Sequence, residues 1–226
     1  MGLFDVFKKK ECAICGGEIG MLGNRKLEDG NMCKKCAEKL SPWFNDRRCS
    51  TIAQIKEQLA YREENKGKVA AFQVTRSIGK NMKVLVDEHA GVFVVTEEQD
   101  WRKANPDVLP LSDITGCTFD IEENQWEVKK QGEDGQQESY NPPRYRHSYN
   151  FYIEIHVNHP YFEEIRFQLN NFSVDVEERG IMQTPGLGQL LSVAFGGGNY
   201  NPDADLEYRR YREMGEEIRN TLLNGR

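Results

Sequence analysis

Two Cys-x-x-Cys pairs, Cys12-Ala13-Ile14-Cys15 and Cys33-Lys34-Lys35-Cys36, stand seventeen residues apart near the start of the chain. No other feature of the sequence restricts the fold as much. Each pair places two sulfurs on one tight turn, half of a tetrahedron, and a chain reversal between the pairs joins the halves. Four thiolates fill the coordination sphere of Zn2+ and leave no position for water or substrate. The expectation is therefore one structural zinc held by Cys12, Cys15, Cys33 and Cys36. A thiol-redox switch is the rival reading, but redox Cys-x-x-Cys motifs sit in a βαβ setting that the flanking pattern does not offer.

The residues around the cysteines fit a finger. Cys15-Gly16-Gly17 suits a zinc knuckle, where glycine lets backbone amides turn toward sulfur. Asp29-Gly30 between Leu27 and Met32 has the preferred residues of a hairpin turn. A short helix, Lys34 to Leu40, then carries Cys36 in its first turn. Knuckle, hairpin and helix are the parts of a treble-clef finger, here spanning 11–45. Residues 1–10 form an arm in which Leu3, Phe4 and Phe7 precede Lys8-Lys9-Lys10.

Ser41-Pro42 reads as the cap and first position of a new helical turn, with Trp43 and Phe44 covering the finger against the next domain. Ser50 or Thr51 caps a helix of about three turns within a 46–66 linker, its apolar face Ile52, Ile55 and Leu59. Lys56, Glu57, Arg62, Glu63 and Glu64 read as its solvated face.

From residue 67 to the end the pattern is β and then α. Seven strands are expected at Val69–Thr75, Lys83–Asp87, Val92–Thr96, Ile114–Ile121, Trp126–Lys130, Tyr149–Val157 and Glu163–Leu169. Turns fall at Glu88-His89-Ala90-Gly91 and Glu122-Glu123-Asn124, and 131–143 reads as a long loop. A closing helix over 202–224 begins at Asn201-Pro202 and stops at Gly225, with Tyr208, Tyr211, Gly215, Ile218 and Leu222 on one stripe. Segment 179–200 reads as a flexible insertion containing a short apolar helix, Leu187–Phe195, able to dock on the body or on a partner. Its glycines lack the G-K-S/T and strand–glycine–helix context of a nucleotide site.

The chain resembles bacterial proteins of unknown function that pair an N-terminal four-cysteine zinc finger with a pleckstrin-homology/GRAM-like body. The residues that carry the likeness are Cys12-Ala13-Ile14-Cys15-Gly16, Asp29-Gly30-Asn31-Met32-Cys33-Lys34-Lys35-Cys36, and the order of seven strands and one helix. The resemblance implies an α+β chain: a treble-clef finger, a linker helix, and a seven-stranded antiparallel barrel with a C-terminal helix. It also implies zinc and a binding or adaptor role without a known reaction.

Charge narrows the partners. Residues 1–48 carry ten Lys/Arg against seven Asp/Glu, and the remainder twenty against twenty-nine, giving +3 and −9. A small basic head on an acidic body lacks the broad basic face of a general DNA binder. The leading expectation is a non-enzymatic adaptor that recognises a protein partner through the β domain and flanking segments. The alternatives are an anionic membrane surface, met by the arm and by Arg76, Lys80 and Lys83, or nucleic acid, met by Lys34, Lys35, Lys39, Arg47 and Arg48. No transmembrane run or export signal is read, and cysteines in such a chain are expected to be reduced, which suggests the cytoplasm.

No catalytic set is expected. His89, His147, His156 and His159 read as surface or satisfied histidines, and the odd spacing of His156 and His159 separates them on a strand. Cys49 and Cys117 read as small buried residues. Glu122-Glu123 and Glu163-Glu164 read as charges at turns or strand edges.

Overall fold

The computed structural model describes residues 10–177 and 200–225. The expected arm, apart from Lys10, and the expected insertion with its Leu187–Phe195 helix, apart from Tyr200, lie outside the described residues.

The finger is built from two small hairpins and one turn of helix. Strand β1 (Lys10–Glu11) pairs with β2 (Glu18–Ile19), and β3 (Asn24–Lys26) with β4 (Asn31–Cys33). The Asp29-Gly30 turn closes the second hairpin, where the Leu27 N–H donates to the Gly30 carbonyl at 2.9 Å. Helix α1 covers Lys34–Ala37 and is shorter than expected. Lys39 and Leu40 donate back three residues instead of four, at 3.2 Å each, so the last turn tightens before Pro42. Ser41-Pro42 does not open a helix. The Ser41 hydroxyl accepts from the Trp43 N–H and donates to Asp107.

Helix α2 (Ile52–Ala71) is closed at its start by a reciprocal cap between Thr51 and Gln54. It is longer than expected and takes in Val69–Ala71, which the sequence pattern reads as strand. Its buried residues are Ile55, Gln58, Arg62, Asn65 and Val69, at steps of three and four along one face. Three of those five are polar, so the apolar periodicity fades after Leu59 although the face stays covered. Arg62 is therefore a correction. It does not belong to the solvated face but lies buried, its guanidinium 2.8 Å from Asp107 and donating to the carbonyls of Asn105 and Lys39.

The body holds two antiparallel sheets. The first is a meander of β5 (Arg76–Gly79), β6 (Lys83–Asp87), β7 (Val92–Thr96) and β8 (Leu109–Pro110), with a turn of helix, α3 (Trp101–Ala104), before β8. This sheet is covered on both faces. Val84, Val86, Phe93 and Val95 point into the main core, while Leu85 and Val94 pack under Val69 and Phe72 at the end of α2. Runs of consecutive apolar residues follow from that double burial.

The second sheet is organised by two long strands, β9 (Ile114–Gln131) and β10 (Gln137–Val157). They pair along one edge of β10, and its other edge is shared by β11 (Glu164–Gln168) and β12 (Val174–Glu177). The expected turn at Glu122–Asn124 is absent, because these residues pair with Asn150, Tyr149 and Ser148. Their acidic side chains find partners across the strands: Glu123 lies 2.5 Å from the Nδ1 atom of His147, and Glu122 is 3.2 Å from Arg166. The expected loop at 131–143 is instead a tight turn at 132–136, followed by strand with a bulge over 140–143, where two prolines lack ladder donors.

Helix α4 (Leu206–Asn224) closes the core. Asp205 caps it by accepting from the Glu207 and Tyr208 amides, while Asn201 caps a preceding 3-10 turn. The expected stripe of Tyr208, Tyr211, Gly215, Ile218 and Leu222 is buried against β9 and β10. Gly215 is required there: a Cβ would stand 2.2 Å from Cε2 of Phe119. The body is thus two four-stranded sheets with a helix, and among the described residues no ladder closes them into the expected seven-stranded barrel. No helix among the described residues is long and apolar enough to cross a membrane.

Candidate metal centre

The finger brings its four cysteines to one point. The knuckle forms because Gly16 adopts φ +70° and donates to the Cys12 carbonyl at 2.8 Å, while the Cys12 N–H donates to Gly17 at 2.8 Å. The Ala13 N–H donates to the Asn31 carbonyl at 2.9 Å and fastens the knuckle to β4. Cys33 ends β4 and Cys36 lies in the turn of α1. The four Sγ atoms all lie within 4.8 Å of one another, and Cys15 and Cys33 are 3.8 Å apart. A tetrahedron with metal–sulfur bonds of about 2.3 Å has edges of about 3.8 Å, so the separation fits a single ion.

The electrostatics point the same way. Cys12 and Cys36 are buried and Cys15 is exposed. Burial pushes the Cys12 thiol up, but the amides of Cys33, Cys15 and Ile14 outweigh it and bring the thiol down to about 6. The Cys33 N–H donates to the Cys12 sulfur at 3.3 Å. Burial, and then the other three thiols, push Cys36 well above the ordinary thiol range. Four thiolates crowded together repel, and a divalent cation removes that repulsion as protons leave.

The finger's core does not stop at residue 45. Ile55 on α2 is fully buried with Leu27, Met32 and Leu40, and Ile52 and Leu59 flank it. Asp29 accepts from the Ile52 N–H at 2.7 Å, and Glu28 donates to the Ser50 carbonyl at 3.0 Å. Trp43 and Phe44, neighbours in sequence, enter different cores: Trp43 packs on the body, Phe44 on the finger. The metal centre thus stands on a platform that includes the first two turns of α2.

The remaining residues singled out in the sequence scatter. His89 is exposed in its turn. His159 packs among Tyr61, Tyr161 and Phe162. Cys117 is buried, but Cys49 is exposed at the end of a surface 3-10 turn, contrary to its expected burial. His147 is buried beside Glu123 and stacks on Tyr200 at 3.9 Å between ring centres.

A second group escapes the sequence reading. Glu154, His156 and Glu164 offer ligand atoms within 4.8 Å of one another, with His156 Nε2 2.9 Å from Glu154 Oε1. Glu154 and His156 are two apart and share a face of β10, and the register sets Glu164 opposite His156. The i, i+2 spacing was visible; the partner across the ladder required the register.

A family model described as a domain of unknown function, DUF4428, matches residues 10–58. The matched stretch covers the four cysteines and the part of α2 that completes the finger's core. Comparison with curated proteins and with solved structures gives no match.

Proposed function

We propose that this chain is a non-enzymatic, zinc-stabilised adaptor that docks a protein partner through its β domain and flanking segments in the cytoplasm. The metal is Zn2+, one per chain, and its role is structural. Four cysteine sulfurs complete a tetrahedron, so no coordination position remains for a reacting water. Reduced thiols are needed for this, which suits an intracellular compartment. The order of one meander, a second antiparallel sheet and a closing helix supports a pleckstrin-homology/GRAM-like body.

The observation that carries the docking reading is the outer half of the β9–β10 ribbon. Its core-facing alternation ends near Ile121, yet the two strands continue paired to Gln131 and Gln137. This extension presents Trp126, 43% exposed, and a Tyr140–Arg144 stack with 4.5 Å between ring centre and guanidinium. Aromatic and arginine side chains are the residues that most often anchor interfaces. The test compares partners crosslinked to the native chain with those of Trp126→Ala/Arg144→Ala. Loss of a specific crosslinked protein with unchanged stability supports the reading. An identical crosslinking pattern overturns it.

A further inference from the structure

The finger carries a basic groove that the metal centre does not use. It has a volume of about 780 Å3, and its walls include Asn24, Arg25, Lys26, Glu28, Arg47 and Arg48. Two segments remote in sequence supply it, the β3 strand and the 3-10 turn Asp46–Cys49. The Arg47 Nη1 donates to the Lys26 carbonyl at 2.5 Å, which pins the two walls together. Arg25 Nη1 donates to the carbonyls of Leu22 and Asn24 at 3.3 and 3.2 Å.

The groove carries four cationic side chains, Arg25, Lys26, Arg47 and Arg48, against the single carboxylate of Glu28. Among the described residues, none of Arg25, Lys26, Arg47 and Arg48 forms an ion pair with a carboxylate, although the chain is acidic overall. Burial, then the neighbouring Arg48 and Arg25 charges, lower the Arg47 guanidinium from its ordinary value. Like charges gathered in excess of their counterions raise the energy of the free protein, and an anion in the groove removes that cost.

We infer that this groove binds a phosphate monoester, with the guanidinium forks of Arg25, Arg47 and Arg48 and the Lys26 ammonium surrounding the dianion. Guanidinium forks match tetrahedral oxyanions in pairs of parallel hydrogen bonds, which makes a cluster of them better suited to phosphate than to a lone carboxylate. The volume exceeds that of a phosphate group and leaves space for part of its carrier. Single-stranded nucleic acid is the less suitable occupant. Its binding sites stack bases on aromatic rings, and among the described residues no aromatic side chain lines the groove. This site lies on the finger and is independent of the docking reading of the β9–β10 ribbon.

The test titrates the zinc-loaded full chain, followed by amide and arginine side-chain NMR at fixed ionic strength. The probes are inorganic phosphate, a phosphoserine peptide, its Ser→Glu counterpart and a 15-nucleotide single strand. Saturable shifts confined to 24–28 and 46–49 with phosphate are expected, and the glutamate peptide should bind less tightly than the phosphopeptide. Arg48→Gln, whose side chain makes no hydrogen bond or ion pair among the described residues, should weaken phosphate binding about tenfold without changing zinc content. Arg25→Gln should act in the same direction, whereas Lys34→Gln/Lys35→Gln on α1 should not. A phosphopeptide tighter than free phosphate assigns the site to phosphoprotein; equal affinity assigns it to small phosphate compounds. The inference is overturned by three results: no saturable response to millimolar phosphate, indifference to Arg48→Gln, or preferred binding of the oligonucleotide weakened equally by the α1 lysine changes.

Discussion

Asp107 and Arg62 meet at 2.8 Å with the carboxylate wholly buried and the guanidinium nearly so. Around them, Ser41 donates to the other carboxylate oxygen at 2.7 Å, and Arg62 reaches the carbonyls of Lys39 and Asn105. Asn65 extends the network by donating to the Pro106 carbonyl and accepting from Val108. Finger, helix and body therefore share one polar joint.

Breaking that joint from one side leaves a buried charge without a partner. Asp107→Leu should cost about 3–5 kcal/mol, and Arg62→Met a similar amount. A double change to apolar residues of like volume, Arg62→Met/Asp107→Leu, should recover a substantial part of the loss. Urea denaturation of the four proteins provides the cycle. Additive losses would show that the two side chains do not act as a pair.

Gly215 and Phe119 make a steric prediction. Gly215→Leu should destabilise by about 1–3 kcal/mol or more, since the added side chain runs into the aromatic ring. Phe119→Ala in the same chain should relieve part of the clash, which a thermal melt would register as a partial rise in Tm. A silent Gly215→Leu would remove α4 from the core.

Metal removal should act locally first. Cys36→Ser should lower zinc content below one per chain and release amide protection across 10–58, because small zinc domains take their folding energy from the ion. The sheets should stay folded. Their Tm should still fall, since Lys39 and Ser41 contribute to the joint with Asp107. Hydrogen exchange on native and variant protein separates the two regions.

His159 gives a pH dependence. Burial among Tyr61, Tyr161 and Phe162 lowers its imidazole below the ordinary value, and its Nδ1 accepts from the Tyr161 N–H. The unfolded chain then binds a proton that the folded chain refuses, so stability rises with pH through that window. The contribution is complete above about pH 6.5 and is lost as pH falls below it. Denaturation from pH 7.5 to 5 should show a steeper loss for the native chain than for His159→Phe.

Much of this protein was legible in its residues, and the failures have definite causes. The finger was readable because Cys12, Cys15, Cys33 and Cys36 fix both chemistry and spacing. The α4 stripe was readable because Tyr208 to Leu222 bury an apolar face of regular period. Arg62 was misplaced because a buried ion pair looks like surface charge until its partner, 45 residues on, is known. Glu122 and Glu123 resembled a turn because their partners, Arg166 and His147, are supplied by other strands. The groove was half visible: Arg47 and Arg48 stood out, while Arg25 and Lys26 join them only through the packing of β3.

Ile55 seats in the finger and Val69 under the first sheet, fourteen positions apart on one unbroken helix. Fourteen residues are close to four turns, so both anchors project from the same side. A flexible tether could gain or lose residues freely, but this one acts as a gear. Inserting a single residue would turn the finger by about 100° and advance it about 1.5 Å relative to the sheets. Length changes that keep the two ends in mesh come in steps of about seven residues, so α2 sets the direction in which the phosphate groove faces.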